Sequence, residues 1–218
     1  MPLPRASASG VVPRPNAALL VIDVQNCFLP GGTLPVANGD EVIPIINDVA
    51  TKFTNVVLTQ DWHTPGHASF ASSHDGKEPF ETAELSYGPQ VLWPDHCVQG
   101  TEDAQLAAGL NIPHAQMIIR KGYIPEIDSY SAFLEADRER RTGLTSYLEE
   151  HGVEEVFVVG LATDFCVSWT AQDARDAGFS VTVIEDATRA IDLNGSLEAA
   201  WAEMEAAGVR RLQFSDLA

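Results

Sequence analysis

Apolar residues in this chain fall into short, nearly unbroken runs separated by stretches of helical spacing. The runs are Ala18–Val24 (ALLVIDV), Asn55–Thr59 (NVVLT), Gln116–Arg120 (QMIIR), Glu155–Val159 (EVFVV) and Ser180–Ile184 (SVTVI), with a weaker one at Arg211–Phe214. Such runs suit β-strands covered on both faces rather than strands with one wet face. Asp40–Lys52, Thr142–Glu150, Asp164–Ala177 and Ser196–Ala207 carry apolar residues at helical spacing. Gly152, Gly178 and Gly208 each sit just past such a stretch, where a left-handed residue ends a helix. The alternation predicts an α/β fold, a three-layer α/β/α sandwich around a mostly parallel six-stranded sheet. Residues 1–15, rich in Pro, Ala and Ser, are expected to form a flexible arm ahead of a single domain over 16–218. Two long insertions, Gln60–Pro113 and Lys121–Arg140, are rich in Pro, Gly, His and aromatic residues. Long loops in compact domains are usually functional.

Composition narrows the classes. The 218 residues include 31 acidic and 13 basic side chains, a formal charge of −18. Phosphate binding is driven by Lys and Arg, so this balance excludes a nucleic-acid partner and argues equally against an anionic membrane surface. The longest strongly apolar run, Ala17–Ile22, is far short of the roughly 20 residues that span a bilayer. The first ten residues carry no apolar signal segment. The three cysteines, Cys27, Cys97 and Cys166, are too few and odd in number for a secreted disulfide scaffold. A reducing, cytoplasmic setting is expected. Cys27 and Cys97 read as packing residues.

Ligands of open parallel sheets sit outside the carboxyl ends of the strands. The first strand ends in Asp23, the second runs into Asp61 and His63, the third into Lys121, and the fourth is followed by GLATDFC with Cys166. These would share one edge of the sheet. A thiol in a first helical turn, capped by Thr163 or Asp164, feels the positive end of the helix dipole, which favours thiolate. Asp23 is costly to bury unless paired; it can orient Lys121 or take the thiol proton. Asp61 and His63 stand at i and i+2, on one side of an extended strand end, and His96 can add a third ligand. Two histidines and a carboxylate suit Zn²⁺, Fe²⁺ or Mn²⁺. His67 and His74 read as non-ligands, His114 and His151 as surface residues.

Together the D-x-Q segment (Asp23–Gln25), DWH (Asp61–His63), HASF (His67–Phe70), LWPDHCVQG (Leu92–Gly100), KGY…DSYSAF (Lys121–Phe133) and GLATDFCV (Gly160–Val167) resemble the nicotinamidase/pyrazinamidase branch of the isochorismatase-like cysteine hydrolases. The resemblance covers about residues 16–214. It implies a Rossmann-like sheet, with Cys166 as nucleophile, Asp23 as proton-transfer carboxylate and Lys121 as the third member of the triad. It implies Asp61, His63 and His96 as ligands of one divalent metal ion, Zn²⁺ ahead of Fe²⁺ and Mn²⁺, with His67 outside the ligand set. It places a cis peptide at Leu161–Ala162, an oxyanion hole at the Ala162 and Cys166 N–H groups, and substrate-flanking aromatics at Phe28, Trp93 and Tyr130. The implied reaction converts nicotinamide to nicotinate and ammonia, with pyrazinamide as a further substrate, in pyridine-nucleotide (NAD) salvage. Relatives of this kind occur as monomers and as homo-oligomers. The competing expectation is a related amidase acting on another small amide or ureido compound.

Overall fold

The computed structural model describes residues 10–218. Six parallel strands form the central sheet: β1 (Ala17–Ile22), β2 (Asn55–Asp61), β5 (Met117–Lys121), β6 (Glu155–Leu161), β7 (Ser180–Arg189) and β8 (Arg210–Leu212), in the spatial order β5-β2-β1-β6-β7-β8. A separate antiparallel hairpin, β3 (Thr82–Leu85) and β4 (Gly88–Val91), lies within the first long insertion. The helices are α1 (Val42–Ala50), α2 (Leu144–Glu150), α3 (Ser168–Asp176) and α4 (Ser196–Ala206). All six expected strands and all four expected helices are present, and the main sheet is parallel throughout.

Side chains alternate across a strand, so β1 feeds both faces. Leu19 and Val21 pack with Val42, Ile46 and Val49 of α1. Ala18, Leu20 and Ile22 belong to the opposite core, with Leu144 and Leu148 of α2, Ala171 and Ala174 of α3, and Trp201 and Met204 of α4. The unbroken hydrophobicity of β1 and β6 follows from this double burial. The edge strands β5 and β8 are partly wet, and Ile118 is exposed. The Val11 N–H donates to the Asp216 carbonyl and the Ala218 N–H to the Val11 carbonyl, which ties Val11 to the C-terminal segment. Residues 1–9 lie outside the described residues.

The chain leaves β1 to build β2 and β5 on one side, then returns to place β6, β7 and β8 on the other. The crevice of such a sheet opens at the carboxyl ends of β1 and β6, where the strand order reverses. There the backbones of Ile22 and Gly160 pair closely. Gly160 has φ +112°, and a Cβ on it would lie 2.1 Å from the Ile22 carbonyl oxygen. Only glycine permits both. Among the described residues, no helix is long and apolar enough to cross a membrane.

Gly160→Ala is therefore expected to lower the free energy of unfolding by about 2–5 kcal/mol, combining backbone strain with overpacking. Urea denaturation of the two proteins measures it; equal midpoints would contradict the close approach.

Candidate active site

Four strand ends deliver the polar residues. Asp23 follows β1 with φ +46°, Asp61 closes β2, Lys121 closes β5, and Cys166 lies beyond β6. Asp23 is fully buried: Thr59 Oγ1 donates to its Oδ1 at 2.5 Å and accepts its N–H at 3.0 Å. Its Oδ2 faces the Lys121 ammonium at 2.9 Å. Lys121 Nζ also pairs with Asp61 Oδ1, donates to the Ser129 carbonyl at 2.9 Å, and reaches Cys166 Sγ at 3.5 Å. One oxygen each of Asp23 and Asp61 lies with Cys166 Sγ inside a cluster no wider than 4.8 Å. The three residues expected as a triad thus lie together, and Asp61 shares their cluster.

The charges are settled by competition. Burial pulls the Lys121 ammonium down, but Asp23, Asp61 and Cys166 outweigh it and hold the group well above the usual lysine range. Burial pushes the Cys166 thiol well up; Lys121 opposes this, while Asp23 and Asp61 add to it. Burial thus works against the pull of the helix dipole toward thiolate. Two structural facts account for this. Cys166 is buried, and Thr163–Val167 winds as one wide turn before α3, with the Phe165 and Val167 N–H groups both donating to the Ala162 carbonyl. Neither Thr163 nor Asp164 caps the turn. Asp164 instead accepts from the Ile191 N–H (3.1 Å), the Asp192 N–H (2.7 Å) and the Ser196 hydroxyl (2.5 Å), fixing the loop that brings Ile191 to the pocket.

Asp61, His63 and His96 converge as expected. Asp61 Oδ2 lies 3.9 Å from His63 Nε2 and 4.0 Å from His96 Nε2. Each imidazole gives Nδ1 to a carbonyl, His63 to Gly122 (2.9 Å) and His96 to Pro94 (2.8 Å). A carbonyl only accepts, so Nδ1 carries the proton and the Nε2 lone pair faces inward, the orientation that metal-binding histidines need. Burial holds both imidazoles below their ordinary range, His63 well below, and so neutral. Burial likewise pushes the Asp61 carboxyl well up, although Lys121 pulls the other way. Asp23, Asp61, Asp128 and Glu135 are all buried around the single Lys121 ammonium. The donor set of Asp61, His63 and His96 fits one divalent cation. Gly122 belongs to this arrangement: its φ is +66°, and a Cβ there would meet His63 Cε1 at 2.6 Å. His67 spends Nε2 on the Ile124 carbonyl (2.9 Å) and Nδ1 on the Ser69 hydroxyl (2.8 Å), though it also groups with His63 and Asp128 at ligand spacing. His74 bonds the Ala68 carbonyl, and His114 and His151 are exposed.

A cavity joins the two clusters. Phe28, Trp93 and Tyr130 line it, with Asp61, His63, His96, Ala162 and Cys166. Lys121 and Asp23 lie behind this wall. The Leu161–Ala162 peptide is cis, as the resemblance implies. Leu34, Asp128, Phe165 and Ile191 also line the cavity and were not foreseen. Asp128 and Phe165 stand inside the DSYSAF and GLATDFC motifs, where a carboxylate or ring beside an expected site residue is the available signal. Gln25 is another addition: its amide clamps the Asp61 backbone, donating to the Asp61 carbonyl (2.9 Å) and accepting the Asp61 N–H (2.8 Å).

Cys27 and Cys97 correct an expectation. They form a disulfide, not two separate packing thiols, and Cys166 is the free cysteine. The bond ties the turn carrying Phe28 to the loop carrying His96. Parity and count did not reveal it because the two partners stand 70 residues apart and meet only in the fold.

The Isochorismatase domain profile matches residues 17–213. A nicotinamidase of Acinetobacter baylyi is 60% identical over 202 residues, covering 93% of this chain and 94% of that protein. Among solved structures, an Acinetobacter baumanii nicotinamidase/pyrazinamidase superposes with a TM-score of 0.92 at 62% identity, covering 93% of this chain and 98% of the other. A Pyrococcus horikoshii pyrazinamidase in complex with zinc superposes with a TM-score of 0.74 at 35% identity, covering 91% and 99%.

Two outcomes follow from the geometry. Below an ordinary histidine pKa near 6.5 the unfolded chain protonates both imidazoles while the native state resists, so stability of chelator-treated protein falls as pH drops from about 7 to 5. The slope contributed is at most about 1.4 kcal/mol per pH unit for each imidazole. Urea melts at several pH values measure it, and His63→Gln flattens the dependence; an unchanged slope in that variant would contradict a neutral buried His63. Thiol titration of unfolded, unreduced protein is expected to count one reactive thiol per chain and three after reduction.

Proposed function

The chain belongs to the isochorismatase family, in its nicotinamidase branch, and we propose that it hydrolyses nicotinamide to nicotinate and ammonia through a thioester on Cys166. The chain is an amidohydrolase. The observation that carries the finer reading is the Cys166 thiol on the wall of an aromatic cavity, with Asp23 and Lys121 directly behind it.

An unactivated amide needs a strong nucleophile and a protonated leaving group. The buried thiol is neutral at rest, so a base must remove its proton. Asp23 takes it, and the Lys121 ammonium offsets the negative charge that builds between carboxylate and sulfur. The thiolate attacks the carboxamide carbon. The N–H groups of Ala162 and Cys166 stabilise the oxyanion, worth about 3–4 kcal/mol for each donor. Asp23 returns the proton to the departing ammonia, leaving the acyl group on sulfur. A water deprotonated by Asp23 then hydrolyses the thioester and restores the thiol. Phe28, Trp93 and Tyr130 confine the flat ring so that its amide meets Cys166.

Asp61, His63 and His96 would hold one divalent metal, Zn²⁺ first, with Fe²⁺ and Mn²⁺ also suited to these donors. When bound, it supplies a Lewis-acidic position suited to a pyridine nitrogen. The zinc-bound Pyrococcus relative supports this reading. Pyrazinamide, which keeps a ring nitrogen and a carboxamide, belongs to the same substrate class. A place in pyridine-nucleotide salvage goes with this reading.

The test is ammonia release from nicotinamide, pyrazinamide and unrelated small amides. Cys166→Ala is expected to lose at least about a thousandfold in kcat, and Asp23→Asn and Lys121→Ala at least about a hundredfold. Chelation lowers the rate and added Zn²⁺ restores it. Full activity in Cys166→Ala would overturn the nucleophile assignment, and hydrolysis of other amides alone would move the substrate.

A further inference from the structure

The β3–β4 hairpin takes no part in the main sheet, yet one of its residues holds the cavity wall. Gln90 of β4 is 2% exposed and does not line the cavity. Its Nε2 lies 2.8 Å from Asp128 Oδ2, 2.8 Å from the Tyr130 hydroxyl and 2.7 Å from the Val91 carbonyl. Its Oε1 accepts the Tyr87 hydroxyl at 3.0 Å, and the Tyr87 oxygen accepts the Asp128 N–H at 3.2 Å. Trp93 Nε1 donates to the same Tyr130 hydroxyl at 3.0 Å. The Gln90 amide has two N–H groups to share among these three acceptors, and the Tyr130 oxygen also takes the Trp93 N–H. Asp128 Oδ2 is held by Gln90, while Oδ1 accepts the Ser129 N–H at 2.8 Å and lies 3.9 Å from His63 Nε2.

A primary amide is the side chain that donates to a carboxylate and a phenol oxygen while accepting from a third group. Glutamate lacks the donors and leucine lacks both functions. We propose that Gln90 is a positioning residue for substrate binding: acting through Tyr130 and Asp128, it sets the wall of the cavity that receives the pyridine carboxamide. This rests on the nicotinamidase reading and deepens it. Gln90 touches none of the Asp23, Lys121 and Cys166 cluster, so its loss acts on binding that ground state and transition state share.

The experiment is steady-state kinetics on nicotinamide, with melting temperatures recorded for every variant. Gln90→Leu is expected to raise KM at least tenfold with kcat within threefold of wild type. Tyr87→Phe removes the bond that orients the Gln90 amide, together with the acceptor of the Asp128 N–H, and is expected to raise KM two- to fivefold. In a Tyr130→Phe background, the KM penalty of each substitution is expected to shrink to less than half, because part of the effect passes through Tyr130. A purely structural role predicts lowered melting temperatures with unchanged KM, or penalties that simply add; either result overturns the proposal. Should Gln90→Leu fail to fold, Tyr87→Phe and its pairing with Tyr130→Phe decide alone. Wild-type protein that releases no ammonia from nicotinamide would overturn the enzymatic reading and this inference together. Active wild type with unmoved KM in the variants overturns this inference only.

Discussion

An ammonium group with no access to water must be surrounded by negative charge and acceptors, and Lys121 finds both from four directions. Asp23 comes from the end of β1, Asp61 from the end of β2, the Ser129 carbonyl from the second insertion, and the Cys166 sulfur from beyond β6. Breaking a buried pair by removing one partner is far more costly than an exposed pair is worth. The lysine therefore fixes the spacing of the two carboxylates as firmly as they fix its protonation. Asp61 carries that constraint onward, since one of its oxygens meets Lys121 and the other faces His63 and His96. The nucleophile cluster and the ligand cluster are one electrostatic unit sharing a side chain.

The surrounding structure reads as reinforcement of that unit. Gln25 holds the Asp61 backbone, Thr59 holds the Asp23 carboxylate, and the Gly122 carbonyl orients the His63 ring. Asp164 fixes the Ile191 loop, and the Cys27–Cys97 bond joins the Phe28 turn to the His96 loop. Each of these supports joins segments at least 27 residues apart in the chain. Long loops would otherwise place polar groups loosely, and misplacement by about 1 Å is costly to catalysis.

The sheet was legible because doubly covered strands leave continuous apolar runs, and their carboxyl ends could be read off once parallel order was inferred. Asp23, Asp61, Lys121 and Cys166 were therefore found on one edge before any geometry. Pairings were not legible. Nothing local in the sequence says that Lys121 touches Asp61, that Gln90 reaches Tyr130, or that Cys27 meets Cys97. The electrostatics of Cys166 were only half legible: the helix dipole is visible in a motif, whereas desolvation depends on what the rest of the chain packs around it. The pairing of Val11 with Asp216 and Ala218 was equally hidden, since the partners stand at the opposite end of the chain.

The spatial order β5-β2-β1-β6 has a consequence for how the protein is made. During synthesis β1, β2 and β5 emerge before β6. Until the ribosome has passed Leu161, the fully apolar β1 has an open flank where β6 will pair. An uncovered apolar strand edge is a template for pairing with other chains. The long second insertion, which separates β5 from α2 and β6, sets the time that this edge stays open. Substitutions that slow translation across it, with no effect on the finished fold, are thus a route to aggregation of the nascent chain.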